Sequence, residues 1–465
     1  MFRIPLITLC CCLAALATQA QSSVPAQLAA RIPALMQRDR IPGLTIAYIE
    51  NGRPVWTQHF GVANNSNGAH ITDSSRFEAA SLTKVVTAYM ALLMAGSHQL
   101  DLDKPLSEYL GNTYDVGNDP RLAGVTARRT LTHTAGFPNW RSDSLLRFLF
   151  TPGEKFQYSG EGFVMLAKVM EKLTGKKYAE LAKDSVFIPL GMHHSSMTFD
   201  STLRALHVPR HNWLGNTAYS ADYPNQNAAA SLRTTAADYA IFLSALMAGN
   251  RLDPELHREM FTPHAYPDME KMPGVAWGLG VGLDSSATGR YAWHWGDQGD
   301  SRALFVIDPA KRNGIVYFTN SANGLSPAAD ILAIAPGGRQ DGVVKWVAYG
   351  KFDGQAEAVT RSIHQLGGEK AIQQHVAARK QKIGEDQMNM IGYELLRNKR
   401  YADAIAVFKQ NAADYPASAN VWDSLAEGYM ENGDKAQAIA NYEKTLRMKP
   451  DNPNAVEMLK KLRDK

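Results

Sequence analysis

Cysteine is almost absent from this chain. The three cysteines, Cys10, Cys11 and Cys12, are adjacent to one another, and residues 13–465 contain none. Beyond that N-terminal segment the sequence therefore excludes disulfides, a cysteine nucleophile and cysteine-ligated metal sites. If the protein carries out covalent catalysis, another side chain must be the nucleophile.

Long hydrophobic runs are equally scarce. The one long apolar stretch covers residues 4–17; Arg3 precedes it, and the small-residue sequence Thr18-Gln19-Ala20 follows it. This arrangement is typical of a secretory signal peptide, so we predict that residues 1–20 are a cleaved signal. We accordingly expect a periplasmic or secreted bacterial protein with no membrane span after cleavage.

A large excess of charge of one sign is absent as well. Lys and Arg total 49 and Asp and Glu total 45, which gives a formal net charge of +4 at pH 7. No basic stripe alternates with aromatic residues, so we expect no nucleic-acid partner. A hydrophobic fraction of 45% and a charged fraction of 20% over 465 residues are typical of a soluble globular protein with two or three domains.

Signatures of a metal site are also missing. The sequence has no H-E-x-x-H, and the adjacent pair His193 and His194 lacks a third ligand at useful spacing. The G-x-S-x-G signature of α/β-hydrolases is absent too. We therefore expect neither a metal nor a cofactor.

The most informative segment is Ser81-Leu82-Thr83-Lys84, which is the only S-x-x-K in the chain. It precedes the apolar residues 85–95, which predict a buried helix. Three-residue spacing places Ser81 and Lys84 on one helical face, so the amine can reach the hydroxyl. Apolar surroundings lower the pKa of a lysine, which can then take the serine proton, and the first helical turn favours the developing negative charge. Chance alone produces about one such motif in a chain this long, so other segments must support this interpretation.

Several further phrases follow in order along the chain. They are T-L-T-H-T-A-G at 130–136, P-G-E-K-F-Q-Y-S-G at 152–160, P-L-G-M at 189–192, T-T-A-A-D at 234–238 and H-W-G at 294–296. With these phrases, residues 27–335 resemble the serine β-lactamase and penicillin-binding-protein superfamily. The resemblance is to the branch that contains class C β-lactamases, family VIII esterases and D-alanyl-D-alanine carboxypeptidases.

The resemblance implies a role for each matching residue. Ser81 would be acylated, with Lys84 hydrogen-bonded to it. Tyr158 would pass a proton to the leaving group, either as a phenolate or through Lys84. His294 replaces the lysine of the family's K-T-G motif on an edge strand beside the pocket, where a histidine is charged only part of the time at neutral pH.

The same strand would supply the substrate-binding residues. By the resemblance, Gly296 would let the substrate lie against the strand. The backbone N–H groups of Ser81 and Asp297 would form the oxyanion hole that stabilises the tetrahedral intermediate. His133, in the phrase at 130–136, is interpreted instead as a structural hydrogen-bonding residue.

Two departures from the family pattern bear on the substrate. Gly160 stands where the family's Tyr-x-Asn motif has its asparagine, which removes an amide that would hold Lys84 and the substrate's amide group. His294 removes a second fixed contact, so efficient antibiotic hydrolysis is disfavoured and an esterase or small peptidase is favoured. A literal Tyr-x-Asn at 223–225 lies in a predicted loop without the Pro-Gly lead-in, and it ranks well below Tyr158.

We predict an α+β fold for residues 21–337, in which an antiparallel sheet is flanked by helices and carries a helical subdomain. Two strands, at 43–49 and 54–57, surround an Asn-Gly turn. The remaining predicted strands are at 277–282, 291–295, 302–307 and 314–320. Helices, including one at 161–173, lie between these groups, so the two ends of the segment should build one sheet.

The C-terminal part shows a different periodicity. Three pairs of similar residues are each 34 positions apart: Ala404 and Ala438, Phe408 and Tyr442, and Pro416 and Pro450. This is the tetratricopeptide period, so we predict an all-α domain of tetratricopeptide repeats and a capping helix at 386–465, after a linker with a helical segment at 338–385. Two repeats expose much apolar surface, and we expect them to pack on residues 355–380 or on the hydrolase domain.

Two functions from different classes are consistent with these patterns. The leading hypothesis is a secreted serine hydrolase with an acyl-enzyme mechanism on an ester, a β-lactam or a peptide, either an esterase, a D-amino-acid peptidase or carboxypeptidase, or a β-lactamase-like enzyme. The alternative is a catalytically weak or inactive module that binds peptidoglycan peptides or penicillin. In either case the repeats are a possible scaffold for a protein partner.

Overall fold

The computed structural model describes residues 23–111, 114–141, 144–199, 201–218 and 226–463. The predicted signal peptide and the Tyr-x-Asn sequence at 223–225 lie outside the described residues. No helix within the described ranges is both long and apolar enough to cross a membrane.

In the described part of the chain, ten strands form two antiparallel sheets. The strands are β1 (Gly43–Glu50), β2 (Arg53–Asn64), β3 (Ala69–His70), β4 (Phe77–Glu78), β5 (Arg233–Thr234), β6 (Val275–Trp277), β7 (Gly282–Ser286), β8 (Gly289–Asp297), β9 (Arg302–Asp308) and β10 (Asn313–Thr319). Eight of them form one sheet in the order β3-β2-β1-β10-β9-β8-β7-β6, and β4 pairs with β5. Because β1 pairs directly with β10, both ends of the segment contribute to one sheet, as predicted.

Local sequence explains the first hairpin. Asn51 and Gly52 between β1 and β2 both have positive φ, +50° and +76°. Two left-handed residues are what a two-residue hairpin turn needs, and asparagine followed by glycine supplies them at low cost. The predicted turn is therefore confirmed.

One predicted strand is wrong. A single strand was expected at 277–282, but β6 ends at Trp277 and β7 begins at Gly282. Between them Gly280 has a φ of +83°, and its N–H donates to the carbonyl of Leu131 at 2.9 Å. The apolar residues at this point form a turn against the helical layer because this glycine adopts a left-handed conformation.

Eighteen α-helices occur within the described ranges. In the N-terminal part they are α1 (Val24–Asp39), α2 (Thr83–Gly96), α3 (Leu106–Leu110), α4 (Ala127–Leu131), α5 (Glu161–Thr174), α6 (Tyr178–Ala182), α7 (Ile188–Leu190), α8 (Ala236–Met247), α9 (Pro254–Met260) and α10 (Ala328–Leu332). The later helices are α11 (Asp341–Val347), α12 (Gly354–Leu366), α13 (Gly368–Ala378), α14 (Glu385–Arg397), α15 (Tyr401–Asp414), α16 (Ala419–Glu431), α17 (Lys435–Met448) and α18 (Pro453–Arg463). Shorter 3₁₀ segments include Ala80–Leu82 and Ala348–Gly350.

The central strands β1, β10 and β9 of the large sheet are buried on both faces, whereas β2 and β3 at one edge are largely exposed or half-buried. Along β9, Leu304 and Val306 face a core shared with α1, α10 and α11, whereas Phe305 and Ile307 face a core shared with α2, α5 and α8. Alternate residues of a strand point to opposite faces, so both sets must be apolar. Helix α2 lies inside the second core, and most of its residues are buried, including Lys84.

The helices after residue 350 form a separate layer. Neighbours from α14 to α18 pack on one another in sequence order. The ring of Phe408 packs against Gly392 of α14, where a larger side chain would collide with it, and makes a tight contact at Gly428 of α16. The helical C-terminal part is as expected, and its assignment as tetratricopeptide repeats stays a prediction.

Among the described residues, these helices contact the N-terminal part through apolar packing and through polar side chains, including an ion pair between Arg40 and Glu357 of α12. A shared apolar cluster joins Trp213 and Ala322 of the N-terminal part to residues of α12 to α16. In addition, Nδ2 of Asn212 donates to Oε1 of Glu394 at 3.0 Å. Helices α14 and α15 also pack on α12 and α13. The C-terminal helices therefore contact both surfaces that the sequence analysis offered as alternatives.

Candidate active site

Ser81 lies in a tight turn at the start of α2. The 3₁₀ segment Ala80–Leu82 leads directly into the helix. Ala80 has a φ of +48°, a left-handed conformation that costs an L-residue other than glycine about 1–2 kcal/mol. The fold holds this strained residue immediately before Ser81, and such strain is common at functional sites.

Lys84 is fully buried, with none of its surface accessible. Its Nζ lies 3.0 Å from Oγ of Ser81 and 3.0 Å from the carbonyl oxygen of Ala229. The same Nζ lies 4.8 Å from the ring centroid of Tyr158. Burial lowers the pKa of Lys84 from 10.5 to about 7, because the charged ammonium loses its hydration.

Tyr158 is the second residue that the structure brings to Ser81. Burial raises the pKa of its phenol well above the usual value, and the neighbouring Ser81 side chain lowers it by a smaller amount. Of the two proton routes implied by the resemblance, a phenolate is therefore disfavoured, and the route through Lys84 is favoured.

His133 supports Tyr158 from behind. The two rings are 4.4 Å apart between centroids, and Nδ1 of His133 accepts a hydrogen bond from the N–H of Ser159 at 3.0 Å. Burial lowers the pKa of His133 well below its usual range, so its imidazole is neutral. His133 thus has the structural role expected from the sequence, and it fixes the position of the catalytic tyrosine candidate.

His294 lies on β8 and is also completely buried. Its Nδ1 is 2.8 Å from the carbonyl oxygen of Trp295. Burial, reinforced by the neighbouring Lys84, lowers the pKa of His294 to about 3. The expectation of a histidine charged part of the time at neutral pH is therefore wrong, because an imidazole enclosed beside a lysine stays neutral.

The predicted edge position of His294 also needs correction. Two further strands, β7 and β6, lie outside β8 in the sheet. Pairing with β7 stops where Gly282 meets Trp293, whereas residues 294–297 pair only with β9. Within the described residues, the last four residues of β8 therefore have no strand neighbour on the β7 side.

Gly296 of β8 lies against the turn that carries Ser81. A Cβ on this glycine would lie 2.5 Å from the carbonyl oxygen of Ala79 and 3.2 Å from the Cβ of Ala80. Glycine is thus required by contact with the protein's own backbone. The sequence interpretation assigned it to contact with the substrate, and it did not foresee this internal constraint.

Asp297, at the end of β8, is held by its side chain. The carboxylate accepts hydrogen bonds from the N–H of Gly299 at 2.8 Å and from the hydroxyl of Tyr349 at 2.7 Å, and it pairs with Arg302 at 2.6 Å. The Tyr349 hydroxyl also accepts from the indole of Trp295 at 3.0 Å. These bonds position the backbone around residue 297, whose N–H remains the predicted second oxyanion donor.

Three features of the site were not found from the sequence. They are the Ala229 carbonyl beside Lys84, Tyr349 beside β8, and Trp140. A Cβ on Gly160 would lie 2.7 Å from the ring of Trp140, so the indole fills the space next to that glycine. None of these contacts joins residues near in sequence, and no local pattern signals them.

The residues after the last sheet strand also reach the site region. The Trp346 ring on α11 lies 5.3 Å from Trp295 and 5.4 Å from Trp293, both on β8. Together with Tyr349, it packs behind the strand that carries His294. The first residues of the segment that the sequence analysis assigned as a linker, 338–385, therefore pack against β8 of the sheet.

Among the described residues, the histidine pair at 193–194 is not part of a set of metal ligands. Nδ1 of His194 lies 4.0 Å from the carboxylate of Asp238. In the part of the chain that the structure describes, no group of three or more His, Cys, Asp or Glu side chains could hold a metal ion.

Comparisons with known proteins agree with this geometry. The chain is 30% identical over 174 residues to penicillin-binding protein 4* of Bacillus subtilis (strain 168), which covers 32% of this chain and 37% of that protein. It is 24% identical over 261 residues to a β-lactamase of Pseudomonas fluorescens, which covers 53% of this chain and 70% of the relative. The chain thus spans little more than a third of the first relative.

Solved structures support the fold. A class C β-lactamase superposes with a TM-score of 0.60 at 19% identity, covering 70% of this chain and 99% of that structure. The Beta-lactamase family profile matches residues 28–337, which include Ser81, Lys84, Tyr158 and His294. The chain therefore belongs to the Beta-lactamase family of serine hydrolases, which also includes penicillin-binding proteins.

Proposed function

We propose that the protein is a serine esterase that forms an acyl-enzyme on Ser81. The observation that carries this proposal is the 3.0 Å contact between Nζ of Lys84 and Oγ of Ser81. Because burial lowers the pKa of Lys84 to about 7, a large fraction of molecules hold a neutral amine at neutral pH. A neutral amine in contact with a hydroxyl is a competent general base.

The reaction would proceed in two steps. As Oγ of Ser81 bonds to the ester carbonyl carbon, Lys84 takes the serine proton, and the carbonyl oxygen becomes negative. The N–H groups of Ser81 and Asp297 would stabilise that charge. The bond to the alcohol then breaks, and the alcohol leaves with the proton from Lys84, directly or through the neutral hydroxyl of Tyr158. Water repeats the sequence on the acyl group and releases the acid.

Two features favour an ester over a β-lactam or a peptide with a free carboxylate. His294, with a pKa of about 3, offers no positive charge where the family has a lysine. Gly160 has no side-chain amide that could contact Lys84, and Nζ of Lys84 donates to the Ala229 carbonyl. We therefore place β-lactamase, carboxypeptidase and D-amino-acid peptidase activity below esterase activity.

The Ser81→Ala variant tests the proposal. Wild type should hydrolyse a p-nitrophenyl ester and react with a fluorophosphonate probe, and the variant should lose both by at least about a thousandfold. Ser97→Ala is the matched control, because Ser97 lies at the other end of α2 and hydrogen-bonds only locally, to Leu93 and Met94. Full activity in Ser81→Ala would refute the assignment of the nucleophile.

A binding module without turnover is the second candidate, favoured by the same neutral His294 and missing amide. In that case mass spectrometry would find no covalent adduct after incubation with esters, nitrocefin or penicillin. A peptidoglycan-type D-alanyl peptide would nevertheless bind, as measured by calorimetry. An adduct of the expected mass on Ser81 would exclude this candidate.

Location and partner complete the proposal. We propose that residues 1–20 direct export to the periplasm or beyond, which mass analysis of the N-terminus of exported protein would test. We further propose a hydrolase domain at 21–337, a connecting segment at 338–385 and tetratricopeptide repeats at 386–465. The repeats would bind a protein partner.

A further inference from the structure

Trp140 is an unusual side chain for its position. It is 45% exposed, yet its ring centroid lies 5.8 Å from Nζ of the buried Lys84. Among the described residues, this tryptophan thus lies near Lys84 and still presents part of its apolar ring for contact with a ligand.

The indole occupies the space that an asparagine side chain would need. A Cβ on Gly160 would lie 2.7 Å and 2.8 Å from two atoms of the Trp140 ring. The backbone of Gly160 is fixed there, because its N–H donates to both the carbonyl and the side-chain oxygen of Asn139 at 3.0 Å. An aromatic surface thus replaces an amide beside the nucleophile.

Trp140 also lines a cavity of about 330 Å³. Uncharged side chains, Gln226, Asn227 and Gln298, form much of the remaining wall. The Arg233 guanidinium in the same wall is paired with Glu78 at 2.7 Å. The cavity also includes Ala230, which directly follows the Ala229 carbonyl that holds Lys84. The cavity is therefore of ligand size, its wall lies one residue from the carbonyl that holds Lys84, and the described residues that line it are neutral or paired.

We propose that this cavity is a subsite for a flat aromatic ring, and that the preferred substrates are uncharged aryl or arylalkyl carboxylic esters. This inference rests on the esterase activity proposed above and names its substrate class. Stacking on Trp140 provides a contact for the ring that a saturated ring of equal size does not make as well. The neutral His294 and the absent amide leave no requirement for a charged or amide-bearing substrate.

The first experiment compares ring pairs of equal size by pH-stat titration. Methyl phenylacetate is compared with methyl cyclohexylacetate, and benzyl acetate with cyclohexylmethyl acetate. Wild type should prefer the aromatic member of at least one pair by about fivefold or more in kcat/KM. Trp140→Ala should remove this preference, Trp140→Phe should retain part of it, and the control Trp422→Ala, in the C-terminal helices, should leave it unchanged.

A second measurement needs no turnover. In the Ser81→Ala protein, saturation-transfer NMR should show stronger binding of the aromatic ester, and adding Trp140→Ala should equalise the pair. If wild type hydrolyses no ester, the proposed function fails while this binding comparison still decides the subsite. If Trp140→Ala changes neither the kinetic ratio nor the binding ratio, the subsite is refuted even though the esterase remains.

A third variant tests the packing itself. Gly160→Asn should lose most activity because its side chain collides with the indole, and Gly160→Asn combined with Trp140→Ala should recover at least tenfold over Gly160→Asn alone. Wild-type activity and Tm in the single Gly160→Asn variant would show that the indole does not fill this space, and would overturn the proposal.

Discussion

The pH dependence of ester hydrolysis should follow one group, Lys84. Its pKa of about 7 means that the neutral, proton-accepting amine is scarce at pH 5 and predominant at pH 9. We predict that kcat/KM rises about 100-fold over this interval, with a slope of one below pH 7 and a plateau above it. The plateau follows because full deprotonation leaves nothing more to gain.

Other titratable groups around Lys84 should not add features to this profile. Burial lowers the pKa of His133 well below its usual range and that of His294 to about 3, which favours the neutral form of both imidazoles. The pKa of Tyr158 is raised, so its phenol stays protonated up to pH 9. The pH–rate profile should therefore rise once and level off, without the descending limb of a bell-shaped curve.

The same burial affects stability. A fall in pKa from 10.5 to about 7 corresponds to about 5 kcal/mol of unfavourable charge burial at low pH. Between these two values the unfolded chain binds the extra proton, so the free energy of unfolding should rise with pH, and below pH 7 the full cost is present. At pH 6 the Lys84→Met substitution removes this cost of about 5 kcal/mol but also removes two hydrogen bonds worth about 2 kcal/mol together. The free energy of unfolding should therefore rise by about 3 kcal/mol, while activity is lost.

The assay is initial-rate kinetics on a p-nitrophenyl ester from pH 5 to 9, corrected for spontaneous hydrolysis, with urea unfolding at pH 6 and 9. Lys104→Met is the control, because Lys104 is partly exposed and pairs with Glu108, and it should leave the profile unchanged. A rate that climbs without a plateau to pH 9 would show that the lysine pKa is not lowered. A rate that falls above pH 7 would show that the charged amine is the active form.

Two further predictions concern β8. Gly296→Ala should lower kcat at least about tenfold and destabilise the protein by about 1–3 kcal/mol, because its Cβ would lie 2.5 Å from the Ala79 carbonyl oxygen. The control is Gly354→Ala, because a Cβ at that position has no neighbouring atom within 4 Å. Equal kinetics and Tm for the two variants would contradict this packing. Tyr349→Phe should lower kcat by about three- to tenfold with little change in KM, because the Tyr349 hydroxyl is hydrogen-bonded to both Trp295 and Asp297 of β8. The control is Tyr415→Phe, which removes a comparable hydrogen bond in the C-terminal helices. An equal effect of the two substitutions on kcat would rule out a positioning role for Tyr349.

The parts predicted correctly from the sequence depend on residues close together in the chain. Three-residue spacing was enough to place Lys84 beside Ser81, and two left-handed residues were enough to place the first hairpin turn. Both follow from backbone geometry that does not depend on the rest of the fold.

The parts that could not be predicted depend on distant residues. The ionisation of His294 is set by complete enclosure beside Lys84, and a sequence records neither burial nor that neighbour. The strand ends after Trp277 near the point where the N–H of Gly280 donates to the carbonyl of Leu131 in α4, a contact between residues far apart in the sequence. Trp140 beside Gly160 depends on the path of the intervening loops, which carries no periodic signal.

The contact of Trp346 and Tyr349 with β8 has a consequence for how this protein can be divided. The family match ends at residue 337, yet the hydroxyl that anchors the end of β8 belongs to residue 349. A hydrolase fragment cut at the family boundary would lose that anchor and leave an aromatic surface bare, so a recombinant catalytic unit should extend through Gly350.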